Sequence, residues 1–137
     1  MRVAPLVAVA VGGFAGGLAR YAIGEAWPTR TDGFPAATFA INTSGAFVLA
    51  CVLLLALEVL PPTTYVRPLL GTGFCGAYTT FSSVAVSSDQ LVHHGHSGIA
   101  AEYVALSLVA GLAVVVATLA VGRRVVGAVP LGRGGGR

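Results

Sequence analysis

Hydrophobic residues occur in four long runs that short polar segments separate. The runs extend from about residue 4 to 24, 35 to 60, 67 to 92 and 99 to 121. Each holds the roughly 20 mostly apolar residues that an α-helix needs to cross the hydrocarbon core of a bilayer. Because the runs are apolar continuously rather than at alternate positions, they favour helices over the strands of a membrane barrel. The pattern predicts an all-α integral membrane protein with four transmembrane helices.

The composition supports this prediction. Of the 137 residues, 55% are hydrophobic and 9% are charged, whereas an average soluble domain is about 25% charged. Such a chain cannot cover a soluble globule with charge, which argues against a soluble enzyme, a nucleic-acid binder and a disordered protein. We expect residues 1–127 to form a single four-helix membrane domain and the arginine- and glycine-rich segment 128–137 to be a disordered tail.

The third run differs from the others in its content of small and hydroxyl residues. From Gly71 to Ser88 it reads GTGFCGAYTTFSSVAVSS. Glycine disfavours the helix, and serine and threonine offer the backbone alternative hydrogen bonds. The run therefore predicts a discontinuous helix, broken around Gly76 to Thr80. In lipid such a break is tolerated only where the freed backbone groups line a cavity, bind an ion or contact protein.

Polar residues recur on three of the four spans. Residues four positions apart share one face of a helix. The second span has such a pair in Thr38 and Asn42, and the fourth has one in Tyr103 and Ser107. The third span has four hydroxyl residues around the ring of Phe81, which are Thr79, Thr80, Ser82 and Ser83. These side chains either hold helices together by hydrogen bonds or form a polar pathway. Their presence on three spans favours the pathway.

The pathway's chemistry indicates which ion it suits. It offers hydroxyls, an amide and aromatic rings, but no carboxylate or lysine in mid-membrane, where proton-coupled pumps and cation exporters usually need one. Neutral donors and the electropositive edges of aromatic rings suit a small anion and hold it weakly enough to let it leave. The sequence therefore favours an anion pathway.

The first span carries two further features. Its glycines Gly12, Gly13, Gly16 and Gly17 form two overlaid pairs with small-xxx-small spacing, which lets another helix approach closely. Arg20, near the far end of the span, either extends to the membrane surface or creates positive potential at a pore mouth. Its position alone does not decide between these roles.

Residues typical of catalytic or metal sites are few. His93, His94 and His96 lie in a connection where no acid or cysteine completes a ligand set, so a solvated loop is favoured over a metal site. Cys51 and Cys75 lie in apolar runs, and we expect them to be small buried residues. No nucleophile, base and orienting group occur together. We therefore expect no enzymatic activity.

Three segments become recognisable at this point: GGFAGGLARY (Gly12–Tyr21), FPAATFAINTSGAF (Phe34–Phe47) and GTGFCGAYTTFSS (Gly71–Ser83). They resemble the signature segments of the CrcB/Fluc family of fluoride channels. Their order and spacing on four spans match, and the resemblance covers nearly the whole chain. The third segment is highly specific, whereas the first alone would be weak.

The resemblance implies a dual-topology-type antiparallel dimer of four-helix subunits, with fluoride pathways along the interface. It implies a structural Na⁺, not transported, held by the backbone carbonyls of Gly76 and Thr79. Phe81 would be the first of two pore phenylalanines. The other residues of the anion pathway would be Asn42, Thr38, Ser82, Ser83, Tyr103, Ser107 and, at the vestibule, Arg20. The implied function is passive fluoride export, which lowers fluoride toxicity in the cytoplasm.

Two positions depart from the family pattern. The second pore phenylalanine is replaced by Val84, and a polar position expected one turn beyond Ser107 is Gly111. One of the two pore linings that this chain contributes is therefore expected to be altered.

The arginines predict the orientation in the cell membrane. With cytoplasmic N- and C-termini, six arginines lie inside (Arg2, Arg67, Arg123, Arg124, Arg133 and Arg137) and only Arg30 lies in an outside loop. This is a strong positive-inside bias. A subunit that inserts in both orientations to form a homodimer should show almost none. The hypothesis is therefore a heterodimer with a homologous subunit of opposite orientation, the homodimer being the alternative.

The sequence gives less support to two other function classes. A small four-helix multidrug or organic-cation exporter needs a carboxylate in its first helix, and no acid occurs between Val3 and Gly24. A non-transporting membrane assembly protein would have no use for a broken span, since a break without an ion or cavity is only a cost.

Overall fold

All regular elements in the part of the chain that the computed structural model describes, residues 3–30, 32–59 and 65–128, are helices. Helix α1 is Val3–Ala26, and α2 is Ala36–Leu54 with a π-helical turn over Leu55–Val59. Helix α3 begins as a π-helix over Arg67–Cys75 and ends with an α-helical turn over Gly76–Tyr78. Helices α4 and α5 are Phe81–His93 and Ser97–Ala128.

Three of the described helices are long and apolar enough to cross a membrane: Val3–Ala26, Ala36–Glu58 and Ser97–Gly127. The remaining span is divided between α3 and α4, each about 20 Å long at 1.5 Å per residue. Neither half is long enough to cross a hydrocarbon core of about 30 Å alone, but the two in succession have the length that a crossing needs. The prediction of an all-α membrane protein with a broken third helix is confirmed.

The bounds differ from the predicted ones in two places. The break falls at Thr79 and Thr80, inside the predicted segment, but the π-helix before it was not expected. Helix α5 continues to Ala128 instead of ending near residue 121, and Arg123 in this extension donates from Nε to Oε1 of Glu58 at 2.9 Å. Apart from Ala128, the predicted tail 128–137 lies outside the described residues.

The break transfers the chain from one side of α2 to the other. Helix α3 packs mainly on α1, whereas α4 packs on α5, and α2 contacts both α3 and α5. The α1–α3 contact is made by buried glycines, Gly12 and Gly16 on α1 and Gly73 on α3. A Cβ placed on Gly73 would lie 2.7 Å from the Val9 carbonyl oxygen. Gly12 and Gly16 of the first span thus pack against a helix of the same chain.

The connections at the membrane surface hold charged side chains in local contacts. Arg30 Nε donates to Asp32 Oδ1 at 3.4 Å, and the pKa of Asp32 is lowered by a hydrogen bond from its own backbone and by Arg30. Nδ1 of His94 donates to the Gln90 carbonyl at 2.7 Å. Among the described residues, no three His, Cys, Asp or Glu side chains gather as a metal site.

Candidate functional site

The break between α3 and α4 is bound to α2 by the side chain of Asn42. Both residues of the break have extended backbone angles. Thr79 has φ −79° and ψ 156°, and Thr80 has φ −151° and ψ 119°. Asn42 Nδ2 donates to the Thr80 carbonyl at 3.0 Å, and Asn42 Oδ1 accepts from the Thr80 amide at 2.8 Å. One carboxamide therefore pairs with both polar backbone groups of Thr80, which the helix would otherwise satisfy.

The side chain of Thr80 caps the N-terminus of α4. Its Oγ1 accepts from the backbone amide of Ser83 at 3.1 Å, which is the N-cap arrangement. The same hydroxyl lies 3.1 Å from the hydroxyls of Ser82 and Ser83. Ser82 is exposed and Ser83 is half-buried. Three of the four hydroxyls that the sequence places around Phe81 therefore form one cluster at the start of α4, whereas the Thr79 hydroxyl donates to the Cys75 carbonyl.

The Gly76 carbonyl is left without its helical partner at the break. An α-helix would pair it with the amide four residues on, but the Thr80 amide donates to Asn42. Thr79 donates from both its amide and Oγ1 to the Cys75 carbonyl, at 3.0 and 2.9 Å. Gly76 is exposed, and a Cβ there would meet no atom within 4 Å.

The carbonyls of Gly76 and Thr79 have the chemistry needed to hold a cation. Both residues line an open cavity of about 310 Å³ between α2 and α3, together with Asn42, Gly45 and Cys75. Unwound backbone carbonyls at the end of a half-helix are typical Na⁺ ligands in membrane proteins. The donor set therefore fits the predicted sodium ion.

A second cavity, of about 550 Å³, lies on the other side of the break. Its lining includes Asn42, Thr79, Thr80, Phe81, Val84 and Ser107, with Val104 and Leu108 of α5. The Phe81 ring is 81% exposed, whereas Val84 is 8% exposed. Predicted site residues from three spans thus meet in one cavity, and Asn42 and Thr79 line both cavities.

Two buried hydroxyls on α5 have no partner among the described residues. Tyr103 is fully buried, and its ring lies edge-on to Phe34 with the centroids 5.3 Å apart. Tyr103 Oη and Ser107 Oγ are both buried without a hydrogen bond. Thr38 of α2 is half-buried and lies near Tyr103. Since buried polar groups are nearly always satisfied, these hydroxyls mark a place for water or a ligand.

Arg20 is the one predicted site residue on α1. It is half-buried on α1, the helix that packs on α3, and it lines neither of the two cavities. Within the described residues no acid pairs with it. Its place at the vestibule stays a prediction.

Sequence reasoning missed a second link between α2 and α3. The hydroxyls of Ser44 and Tyr78 lie 2.9 Å apart, and Tyr78 is buried and stacks on Phe74. No spacing within either helix signals this pair. The capping role of Thr80 was more accessible, because a hydroxyl residue three positions before Ser83 is a recognisable N-cap signal.

Comparison with known proteins identifies the family. The family described as CrcB-like protein, Camphor Resistance (CrcB), matches residues 7–119. A protein of Streptomyces avermitilis named fluoride-specific ion channel FluC 3 is 52% identical over 123 residues, which are 90% of this chain but only 60% of that protein. A Mycobacterium bovis protein named fluoride-specific ion channel FluC 1 is 44% identical over 86% of this chain and 90% of its own length. This chain belongs to the CrcB family.

Proposed function

We propose that this chain is a subunit of a fluoride-selective channel, which lets fluoride leave the cell passively and so lowers its toxicity. The observation that carries the proposal is the cavity in which Asn42, Phe81 and Ser107 meet from three spans. It offers hydroxyl and amide donors and an aromatic edge, with no fixed charge to trap the ion. The names of the relatives point to the same ion. The protein is then a channel rather than an enzyme.

The structure gives less support to the two alternative functions. Helix α1 contains no acid between Val3 and Gly24, so the carboxylate on which an organic-cation exporter depends is missing. A non-transporting assembly protein does not account for a break that makes two hydrogen bonds with the Asn42 side chain and is bordered by two cavities. An ion pathway accounts for both the break and the cavities beside it.

The exposed surface at the break supports a dimer. Gly76 and Phe81 lie near the middle of the divided span, and both are exposed on the single chain. Irregular backbone facing lipid is costly, because hydrocarbon cannot satisfy its polar groups. A second subunit in antiparallel orientation would cover this surface, as the family resemblance implies. The fluoride pathways would then run along the interface.

The partner proposed here is a homologous subunit of opposite orientation. Val84 lines the cavity where the family has its second phenylalanine, so the partner would supply that ring. The arginine bias places the N- and C-termini in the cytoplasm, with only Arg30 in an outside loop. Streptomyces avermitilis has two such relatives, FluC 2 and FluC 3, so one organism can carry more than one subunit type.

The carbonyls of Gly76 and Thr79 would hold a structural Na⁺ at the centre of this dimer. Bound there, the ion would neutralise carbonyl dipoles that the break leaves unpaired and would join the two subunits. The exposure of Gly76 and the diversion of the Thr80 amide support this assignment.

Fluoride efflux from liposomes tests the proposed function. The chain is reconstituted alone and together with a homologous subunit of the CrcB family, and release is followed with a fluoride electrode, with chloride as the control ion. We expect fluoride without chloride release from the pair and little from the chain alone. Fluoride release by the chain alone would support the channel and contradict the heterodimer. Silence of both preparations would contradict the channel.

Thr79→Ala is expected to have a mild effect. The substitution keeps the backbone carbonyl that would bind Na⁺ and removes only a hydroxyl that donates to Cys75, whose carbonyl already accepts the Thr79 amide. The lost hydrogen bond contributes about 1 kcal/mol or less. The melting temperature of the purified dimer should fall slightly and still rise with added sodium. Loss of the dimer in this variant would mean that the hydroxyl itself is essential.

A further inference from the structure

We propose that Asn42 is a positioning residue that holds the third span open, so that the Gly76 carbonyl stays available for the cation. This inference rests on the sodium site of the proposed function. It assigns the two polar atoms of Asn42 to the backbone of the break and makes the cation site depend on a side chain of another helix.

The hydrogen bonds of Asn42 fix its carboxamide on Thr80. Nδ2 and Oδ1 bond the carbonyl and the amide of this one residue, at 3.0 and 2.8 Å. The group cannot rotate without breaking both bonds. One hydrogen of Nδ2 remains free, so Asn42 can still donate one hydrogen bond into a cavity that it lines.

The alternative to this arrangement is a continuous helix. If Thr80 adopted helical angles, its amide would return to the Gly76 carbonyl four residues earlier. That carbonyl would then be occupied and no longer available to a cation. The break thus has an open state, which Asn42 stabilises, and a closed state that competes with cation binding.

This competition predicts how sodium affinity depends on Asn42. When only part of a population can bind, the apparent dissociation constant rises in inverse proportion to that fraction. Loss of both hydrogen bonds should lower the ratio of open to closed molecules about tenfold or more, and the open fraction falls with it. The sodium concentration for half-maximal binding should therefore rise severalfold, whereas the amount of sodium bound at saturation should stay the same. A packing defect that does not change the break would lower the melting temperature without moving this sodium midpoint.

The test compares Asn42→Leu, which keeps the branched shape without polar atoms, with Asn42→Asp, which keeps the acceptor for the Thr80 amide. Thr43→Val is the matched control, because Thr43 is the next residue of α2 and lines neither cavity. Binding of radioactive sodium to the purified dimer is measured against sodium concentration, with potassium keeping the ionic strength constant. Amide hydrogen exchange over residues 75–84 is measured without sodium.

In sodium-free solution we expect exchange of the amides at the start of α4, residues 80–82, to be slower in Asn42→Leu, because a continuous helix gives them partners that the break withholds. Exchange should change less in Asn42→Asp and be unchanged in Thr43→Val. In the titration we expect a shifted sodium midpoint with an unchanged plateau. If Asn42→Leu does not fold, Asn42→Ala, which also lacks both polar atoms, takes its place in both measurements. Unaltered exchange in the variants would overturn the proposal, as would an unaltered sodium midpoint. If the unsubstituted protein does not bind sodium, the sodium site itself is wrong, and the exchange experiment still decides whether Asn42 holds the break.

Discussion

Gly16→Ala should prevent the chain from reaching its folded state, whereas Gly17→Ala, one position along the same helix, should leave it folded. A Cβ on Gly16 would overlap the Phe74 carbonyl oxygen, and one on Gly12 would overlap that of Leu69. Both obstacles are backbone atoms of α3, so no side-chain rotation relieves them. A Cβ on Gly17 would meet no atom within 4 Å.

The expected loss is large because of where the overlap occurs. Overpacking a well-packed site typically costs about 1–3 kcal/mol, and here relief requires α1 and α3 to separate. Within lipid the association of helices depends on such close packing. Separation would also displace α3 from the cavity that Gly76 lines.

The measurement is the yield and size-exclusion profile of each variant after extraction in mild detergent, with the melting temperature of the material recovered. Gly16→Ala should be aggregated or absent, and Gly17→Ala should match the unsubstituted protein. Equal melting temperatures for the two variants would mean that α1 and α3 do not pack through Gly16.

The spans could be predicted from the sequence because the bilayer imposes their length. About 20 apolar residues are needed per crossing, and that demand appears directly in the runs. The break could also be predicted, since the glycine and hydroxyl content around Gly76 to Thr80 weakens the helix locally. The π-helix of α3 could not be predicted. It occurs where Gly12 and Gly73 approach each other closely, and these residues lie 61 positions apart in the chain.

The spacing of polar residues along the sequence could not predict which group each side chain contacts in the fold. Periodicity places Thr38 and Asn42 on one face of α2 but says nothing about what that face meets. In the structure Asn42 binds the backbone of Thr80, 38 residues away, while lining both cavities. Of the two interpretations left open by the sequence, the hydrogen bond between spans applies to Asn42, and its place on the pathway stays a prediction. Tyr103 and Ser107 instead keep unpartnered hydroxyls.

Phe81→Ile should abolish fluoride efflux and leave the fold unchanged. The Phe81 ring is 81% exposed, so its own chain loses little packing when the ring is replaced. The positive edge of an aromatic ring attracts an anion, and isoleucine has no such edge. A contact of about 1.4 kcal/mol at the barrier changes a rate tenfold, so efflux should fall by about tenfold or more. The measurement is fluoride efflux from liposomes that hold the proposed heterodimer.

Phe14→Ile is the matched control for this substitution. Phe14 is 75% exposed on α1 and lines neither cavity, so it undergoes the same chemical change at similar exposure without touching the proposed pathway. Efflux should survive in Phe14→Ile and be lost in Phe81→Ile, with both variants eluting as the unsubstituted protein does. Equal losses would point to a general effect of removing exposed rings. Undiminished efflux in Phe81→Ile would remove the Phe81 ring from the fluoride pathway and contradict its predicted role.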